Sequence, residues 1–165
     1  MTNAAGLIQE HRSKPVLVDT SLLVLLLVGR LNAKRIATFK RTQSYAEEDY
    51  LLLERLLAQF GGIVTTPHIL AQTSDLTDLG GEDLVAIRRL FKNHVEVFEE
   101  VYQQSRTLVC DPCFERLGLT DAAIATLAAP PVLVLTSDLD LWLTLGRRGV
   151  DCINFNHLRP FGWRS

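Results

Sequence analysis

Short apolar runs alternate along the chain with longer stretches in which apolar residues recur every three or four positions. The two patterns predict strands and helices in turn. Val16-Leu17-Val18, entered through Pro15, is a run of β-formers and reads as a buried parallel strand. Asp19-Thr20-Ser21 closes it, and residues 22–31 are almost wholly apolar, a helix with Thr20 or Ser21 as its cap. In residues 46–60, Tyr50, Leu53, Leu56, Leu57 and Phe60 fall at helical spacing, and Gly61-Gly62 stops them. Residues 63–66 predict a second strand, and Pro67 opens a helix capped by Thr66 and closed by Gly80-Gly81. Residues 82–98 predict a further helix with Leu84, Ile87, Leu90 and Phe91 on one face, and residues 99–105 either continue it or begin another. Thr107-Leu108-Val109 is a weak strand candidate. Residues 122–129 read as a helix capped by Thr120 and ended by Pro130-Pro131. A clear strand, residues 132–135, leads to Thr136-Ser137-Asp138. A helix over 138–147 stops at Gly149, and 150–155 is a last strand. Residues 1–14 read as a polar lead-in, and the tail from Asn156, with Pro160 and Trp163, as a segment packed over the surface.

Strands that alternate with helices in this way are solved most economically by a mostly parallel sheet between two helical layers, a three-layer α/β/α sandwich. A length of 165 residues suits one domain, with its core between about residues 16 and 155. With 47% hydrophobic and 22% charged residues the chain is globular rather than disordered. The apolar run 16–28 is broken by Asp19, Thr20 and Ser21, too short and too polar for a bilayer span. It also lies too far behind Glu10, His11, Arg12 and Lys14 to form a clean signal peptide. These features predict a cytoplasmic protein with no membrane association. Three cysteines cannot complete a disulfide framework, which agrees with a reducing compartment. Cys110-Asp-Pro-Cys113 has the CxxC form, but a redox motif is expected at a helix start after a strand, and zinc would need two more ligands. Ordinary half-buried cysteines are the simpler reading.

The net charge of −2 argues mildly against a generic nucleic-acid binder. The acids are more informative. Asp19 and Asp138 each follow an apolar strand, on the edge of a parallel sheet where ligands bind. Asp121 lies in the first turn of the helix before the second of these strands. Each acid has a bland alternative, since a carboxylate caps a helix or complements its dipole. Gathered together, the three would repel one another, and a hard divalent ion resolves that by binding carboxylate oxygen. Such an ion polarises a phosphate and activates water.

Val18-Asp19-Thr20-Ser21, residues 66–71 (Thr-Pro-His-Ile-Leu-Ala), residues 118–124 (Gly-Leu-Thr-Asp-Ala-Ala-Ile) and residues 135–141 (Leu-Thr-Ser-Asp-Leu-Asp-Leu) resemble, in order, the successive motifs of PIN-domain proteins. The resemblance spans about residues 16–155, and Gly-Leu-Thr-Asp and Leu-Thr-Ser-Asp are its most specific pieces. It implies a Rossmann-like α/β/α sandwich and a Mg²⁺- or Mn²⁺-dependent endoribonuclease. It also implies candidate partners: RNA, a second copy of the chain in a homodimer, and the antitoxin protein that VapBC-type toxins of this family bind. Asp19, Asp121 and Asp138 match the family's metal-binding acids, and Ser21 and Ser137 match small hydroxyl positions that support them. Asp140 matches a position acidic in some relatives, with helix capping as its alternative. The pattern departs at Gln72, where the family carries a glutamate. Asp75, three residues on, either replaces that charge or is a solvated surface acid.

Arg30, Lys34, Arg35, Lys40 and Arg41 form the one strongly basic segment, either a track for an RNA backbone or a solvated charged loop. Residues 29–60 are longer than expected of compact toxins in this family. His11, His68, His94 and His157 show no metal-ligand spacing, and only His68 adjoins a site motif. Two rival functions remain. One is a catalytically weak PIN-like module that binds RNA or a protein, which Gln72 favours. The other is a receiver-type or phosphotransferase domain, which would want a lysine after a late strand where this chain has Asn154-Phe155-Asn156.

Overall fold

The computed structural model describes residues 3–127 and 132–159. The end of the helix near Ala129, the Pro130-Pro131 stop and the tail from Pro160 to Ser165 lie outside them. The chain runs α1 (Ala4–Glu10), β1 (Pro15–Val18), α2 (Thr20–Asn32), a 3₁₀ turn (Ala33–Arg35), α3 (Glu47–Leu57), β2 (Gly62–Thr65), α4 (Pro67–Leu76) and α5 (Gly81–Val95). It continues through β3 (Glu99–Glu100), the short helices α6 (Ser105–Leu108) and α7 (Phe114–Leu117), α8 (Leu119–Leu127), β4 (Leu133–Thr136), α9 (Leu139–Arg147) and β5 (Cys152–Asn154).

The five strands form one all-parallel sheet in the order β3-β2-β1-β4-β5. β1 and β4 are its centre, with Val16 beside Leu133 and Val18 beside Leu135. Their side chains are almost completely buried on both faces, as unbroken runs of Val and Leu require. From β1 the chain steps outward to β2 and β3, then crosses back to β4 and β5. Right-handed crossovers in opposite directions cover opposite faces of the sheet, which gives the α/β/α arrangement. α2 is buried along almost its whole length and touches α3, α4 and α5. Its 13 residues, although apolar, do not make a membrane span, and no helix among the described residues is long and apolar enough to cross a bilayer.

Several local expectations are corrected. Residues 1–14 are not a simple lead-in: Asn3 caps α1, and Leu7 joins the core. Thr107 and Leu108 belong to α6 rather than a strand, because Gln104 C=O accepts the amides of both in a helical turn. Residues 99–100, expected as helix, pair with β2 as the edge strand β3, two exposed glutamates long. Gly80 does not close α4, which ends at Leu76; it caps α5 instead. The basic segment is partly α2 and a 3₁₀ turn. Thr120 is the second residue of α8 rather than its cap. Gly118, at φ +88°, turns the chain directly out of α7 into α8, so the helix starts at Leu119, ahead of the expected residue 122.

Candidate metal centre at the sheet's switch point

The strand order reverses direction between β1 and β4, and in open α/β sheets that gap holds the ligand site. Asp19 stands directly after β1, and Asp138 two residues after β4. Asp121 reaches the same place from the third position of α8. The three carboxylates line one open cavity of about 430 Å³ with Thr20, Ser21, Gln72, Gly118, Thr120 and Ser137. Among the described residues no lysine, arginine or histidine contributes to its walls.

Local chain geometry fixes each acid. Asp19 caps α2: its Oδ1 accepts from Thr20 N–H at 2.6 Å and its Oδ2 from the Thr136 hydroxyl at 2.6 Å. Thr136 Oγ1 in turn accepts from Asp138 N–H at 3.0 Å, so one buried hydroxyl couples the ends of β1 and β4. Asp138 caps α9 through Leu141 N–H at 2.9 Å. The capping role and the cavity-lining role therefore coincide in Asp19 and Asp138. α2, α8 and α9 all begin at the cavity, and their positive dipole ends moderate the repulsion among the acids.

Repulsion and burial remain visible in the proton affinities. Asp121 is pushed up to about 7, first by burial and then by the charges of Asp19 and Asp138. Asp19 is raised chiefly by burial, against the opposing hydrogen bonds of Thr136 and Thr20. A hard divalent cation fits this donor set, because it supplies the positive charge that the walls lack.

Behind the acids lies a hydroxyl layer. Ser21 and Ser137 hydrogen-bond to each other at 2.8 Å, and Tyr45 O–H donates to Ser137 Oγ at 2.8 Å. Asn156 Nδ2 holds Ser137 C=O at 2.9 Å. Arg159 stacks on the Tyr45 ring, 4.8 Å from its centroid, and donates to buried Asp49 and to Ser44 C=O. Thr136 is legible as part of Leu-Thr-Ser-Asp. Tyr45, Asn156 and Arg159 are not, because no spacing signal links them to the acids.

Gln72 lines the cavity, and its Oε1 accepts from Thr20 Oγ1 at 2.7 Å. Asp75 does not line it. Three residues along a helix is a rotation of about 300°, and the wall position one turn below Gln72 falls to Leu76 instead. Asp75 is exposed. Asp140 also stands away from the cavity walls, exposed on the first turn of α9 and 3.5 Å from Arg116.

The basic segment does not reach these walls. Arg30 pairs with Glu54 and contacts His94, Arg35 pairs with Asp83 at 2.7 Å, and Lys40 pairs with Asp78 at 3.0 Å. Lys34 and Arg41 are exposed. His68 bonds Ser105 Oγ at 3.0 Å and joins α4 to α6. Cys110 and Cys113 flank a turn between two short helices, and burial with the neighbouring Asp111 pushes the Cys113 thiol up to about 11. An unprimed thiol of that kind suits packing rather than redox exchange.

Sequence spacing did not reveal Glu10, His11 and Asp151, whose ligand atoms lie within 4.8 Å of one another. His11 is buried, and its Nε2 sits 2.8 Å from Asp151 Oδ2. Asp151 precedes β5, so this group ties α1 to the opposite edge of the sheet from the acidic cavity. A larger cavity of about 790 Å³, lined by Leu7, Trp142, Leu143, Val150 and Leu158, has Asp151 as its one acid among the described residues. Asp19, Asp121 and Asp138, by contrast, line the smaller cavity. Compared with known proteins, the chain matches no protein-family model and no curated protein.

Proposed function

We propose that the chain is a Mg²⁺- or Mn²⁺-dependent endoribonuclease that hydrolyses RNA phosphodiester bonds at the cavity between β1 and β4. One observation carries the reading: Asp19, Asp121 and Asp138 share a cavity without a cationic side chain, and burial with mutual repulsion raises Asp121 to about 7. The choice of RNA rests on the resemblance of four motifs to PIN-domain proteins. The absence of a lysine from the cavity's walls counts against the receiver-type alternative.

In this reading Asp19 and Asp138 are held by helix capping, and Asp121 adds a third carboxylate across the cavity. A hard divalent ion, when bound, supplies Lewis-acid polarisation of phosphate and acidification of water. Thr136 orients Asp19, and the Ser21–Ser137 pair offers hydroxyls that orient water or a phosphate oxygen. In this reading Lys34 and Arg41, both exposed, offer phosphate contacts to a long RNA outside the cavity.

A second reading, a weakly active module that binds RNA or a protein partner, is favoured by the neutral Gln72 in the wall. Calorimetric titration with Mn²⁺ followed by an RNA cleavage assay separates the two. The nuclease reading expects saturable Mn²⁺ binding that Asp121→Asn weakens at least about tenfold, and cleavage that the same change reduces about a hundredfold or more. Wild-type protein that binds no Mn²⁺ sinks the nuclease reading. Binding without cleavage leaves the second.

A further inference from the structure

The remaining chemistry of the cavity lies in Gln72, the one nitrogen-bearing wall side chain among the described residues. The lining contributes carboxylates from Asp19, Asp121 and Asp138, hydroxyls from Thr20, Ser21, Thr120 and Ser137, apolar side chains, and Gln72. The Gln72 amide has a carbonyl oxygen that could coordinate a cation and an NH₂ group that cannot. Thr20 Oγ1 donates to that oxygen at 2.7 Å. Thr20 is the first residue of α2 and is buried, so its hydroxyl is held in place by the helix it begins. That bond occupies one lone pair of the oxygen and turns the oxygen toward Thr20, so the NH₂ is the donor that Gln72 presents to a further partner.

Gln72 is exposed, and beyond bonding water an NH₂ donor beside three carboxylates has two kinds of use. It can bond to one of those carboxylates, yet no such hydrogen bond is formed: Asp19 accepts from Thr20 and Thr136, and Asp138 from Leu141. Otherwise it serves an oxygen that enters the cavity with a ligand. A phosphodiester brings two non-bridging oxygens that share one negative charge, and only one of them needs to face the cation. We propose that Gln72 is a specificity-determining residue whose amide NH₂, oriented by Thr20, hydrogen-bonds a non-bridging phosphate oxygen of single-stranded RNA rather than helping to hold the metal. This inference rests on the nuclease reading above and assigns the ligand class for one wall of that site.

The neutral amide then has a purpose that a carboxylate could not fill. A fourth acid would add cation affinity but repel the incoming phosphate. The amide leaves the negative charge of the walls at three carboxylates and turns a donor toward the substrate.

Three measurements on wild type, Gln72→Ala, Gln72→Glu and Thr20→Val test the proposal. Mn²⁺ affinity is read by calorimetry. Affinity for a fluorescent ten-nucleotide single-stranded RNA is read by anisotropy in Ca²⁺, with uncut RNA verified on a gel. Circular dichroism verifies folding. Gln72→Ala is expected to bind Mn²⁺ within about twofold of wild type and RNA about tenfold more weakly, the loss a hydrogen bond to a charged acceptor implies. Gln72→Glu is expected to bind Mn²⁺ more tightly and RNA more weakly. Thr20→Val frees the amide to turn, and is expected to weaken RNA binding in the same direction by a smaller factor. A tenfold loss of Mn²⁺ affinity in Gln72→Ala would make Gln72 a metal ligand and overturn the proposal. Unchanged RNA affinity in Gln72→Ala, with Mn²⁺ still bound, overturns it while the nuclease reading stands. Failure of the wild type to bind Mn²⁺ removes both.

Discussion

Asp121 shows how one side chain can report on a whole site. Its carboxyl titrates near 7 in the folded chain but near 3.8 when unfolded, so folding takes up a proton between those values. The resulting stabilisation is complete below about pH 4 and is lost as the pH rises through 7. Metal-free protein should therefore unfold at a lower temperature at pH 8 than at pH 5. Asp121→Asn should reduce that difference, with the raised carboxyl of Asp19 left to supply the rest, and gain about 1–3 kcal/mol at pH 8, a figure that allows for solvent reaching the half-buried carboxyl. Thermal unfolding in EDTA across that range measures it, and identical pH profiles for both proteins would mean that Asp121 carries no such repulsion. Asp19, Asp121 and Asp138 were legible as individual residues because each closes a strand or opens a helix in a recognisable motif. Tyr45 was not, because a hydroxyl that bonds a serine 92 positions away leaves no periodic trace.

The elements were predicted best where apolar runs were longest. β4 is buried from end to end and β1 and α2 along almost their whole length, so their patterns are continuous and leave little choice. β3 and the helices α6 and α7 were missed or misread for the opposite reason. At two to four residues, they are set by contacts with neighbours rather than by a period of their own. The α7–α8 junction depends on Gly118, whose φ of +88° lies where L-residues with a Cβ are strained. Gly118→Ala should destabilise the protein by about 1–3 kcal/mol and weaken Mn²⁺ binding, because the start of α8 carries Asp121. Gly6→Ala is the matched contrast. Gly6 lies inside α1 with open space where the methyl would go, so this change should stabilise by about 0.5–1 kcal/mol and leave Mn²⁺ affinity unchanged. Chemical denaturation with Mn²⁺ titration reads both, and equal effects from the two glycines would refute the role of backbone strain.

Over the whole molecule, the sequence conveyed the alternation of strands and helices but not the tethers that close it. Those tethers join residues more than a hundred positions apart. His11 meets Asp151, and Arg159 meets Asp49 at 2.8 Å across the width of the chain. Asp49 is completely buried, so Arg159→Ala should leave an uncompensated charge and cost about 3 kcal/mol. Asp49→Asn combined with Arg159→Ala should recover part of that loss, and additive effects in urea unfolding would show that the two are not coupled. The edge of the sheet has a further consequence. β3 ends the sheet with Glu99 and Glu100, both exposed. Two copies joined edge to edge there would bring four glutamates to a single seam, so growth of the sheet into a larger assembly is repelled at that border.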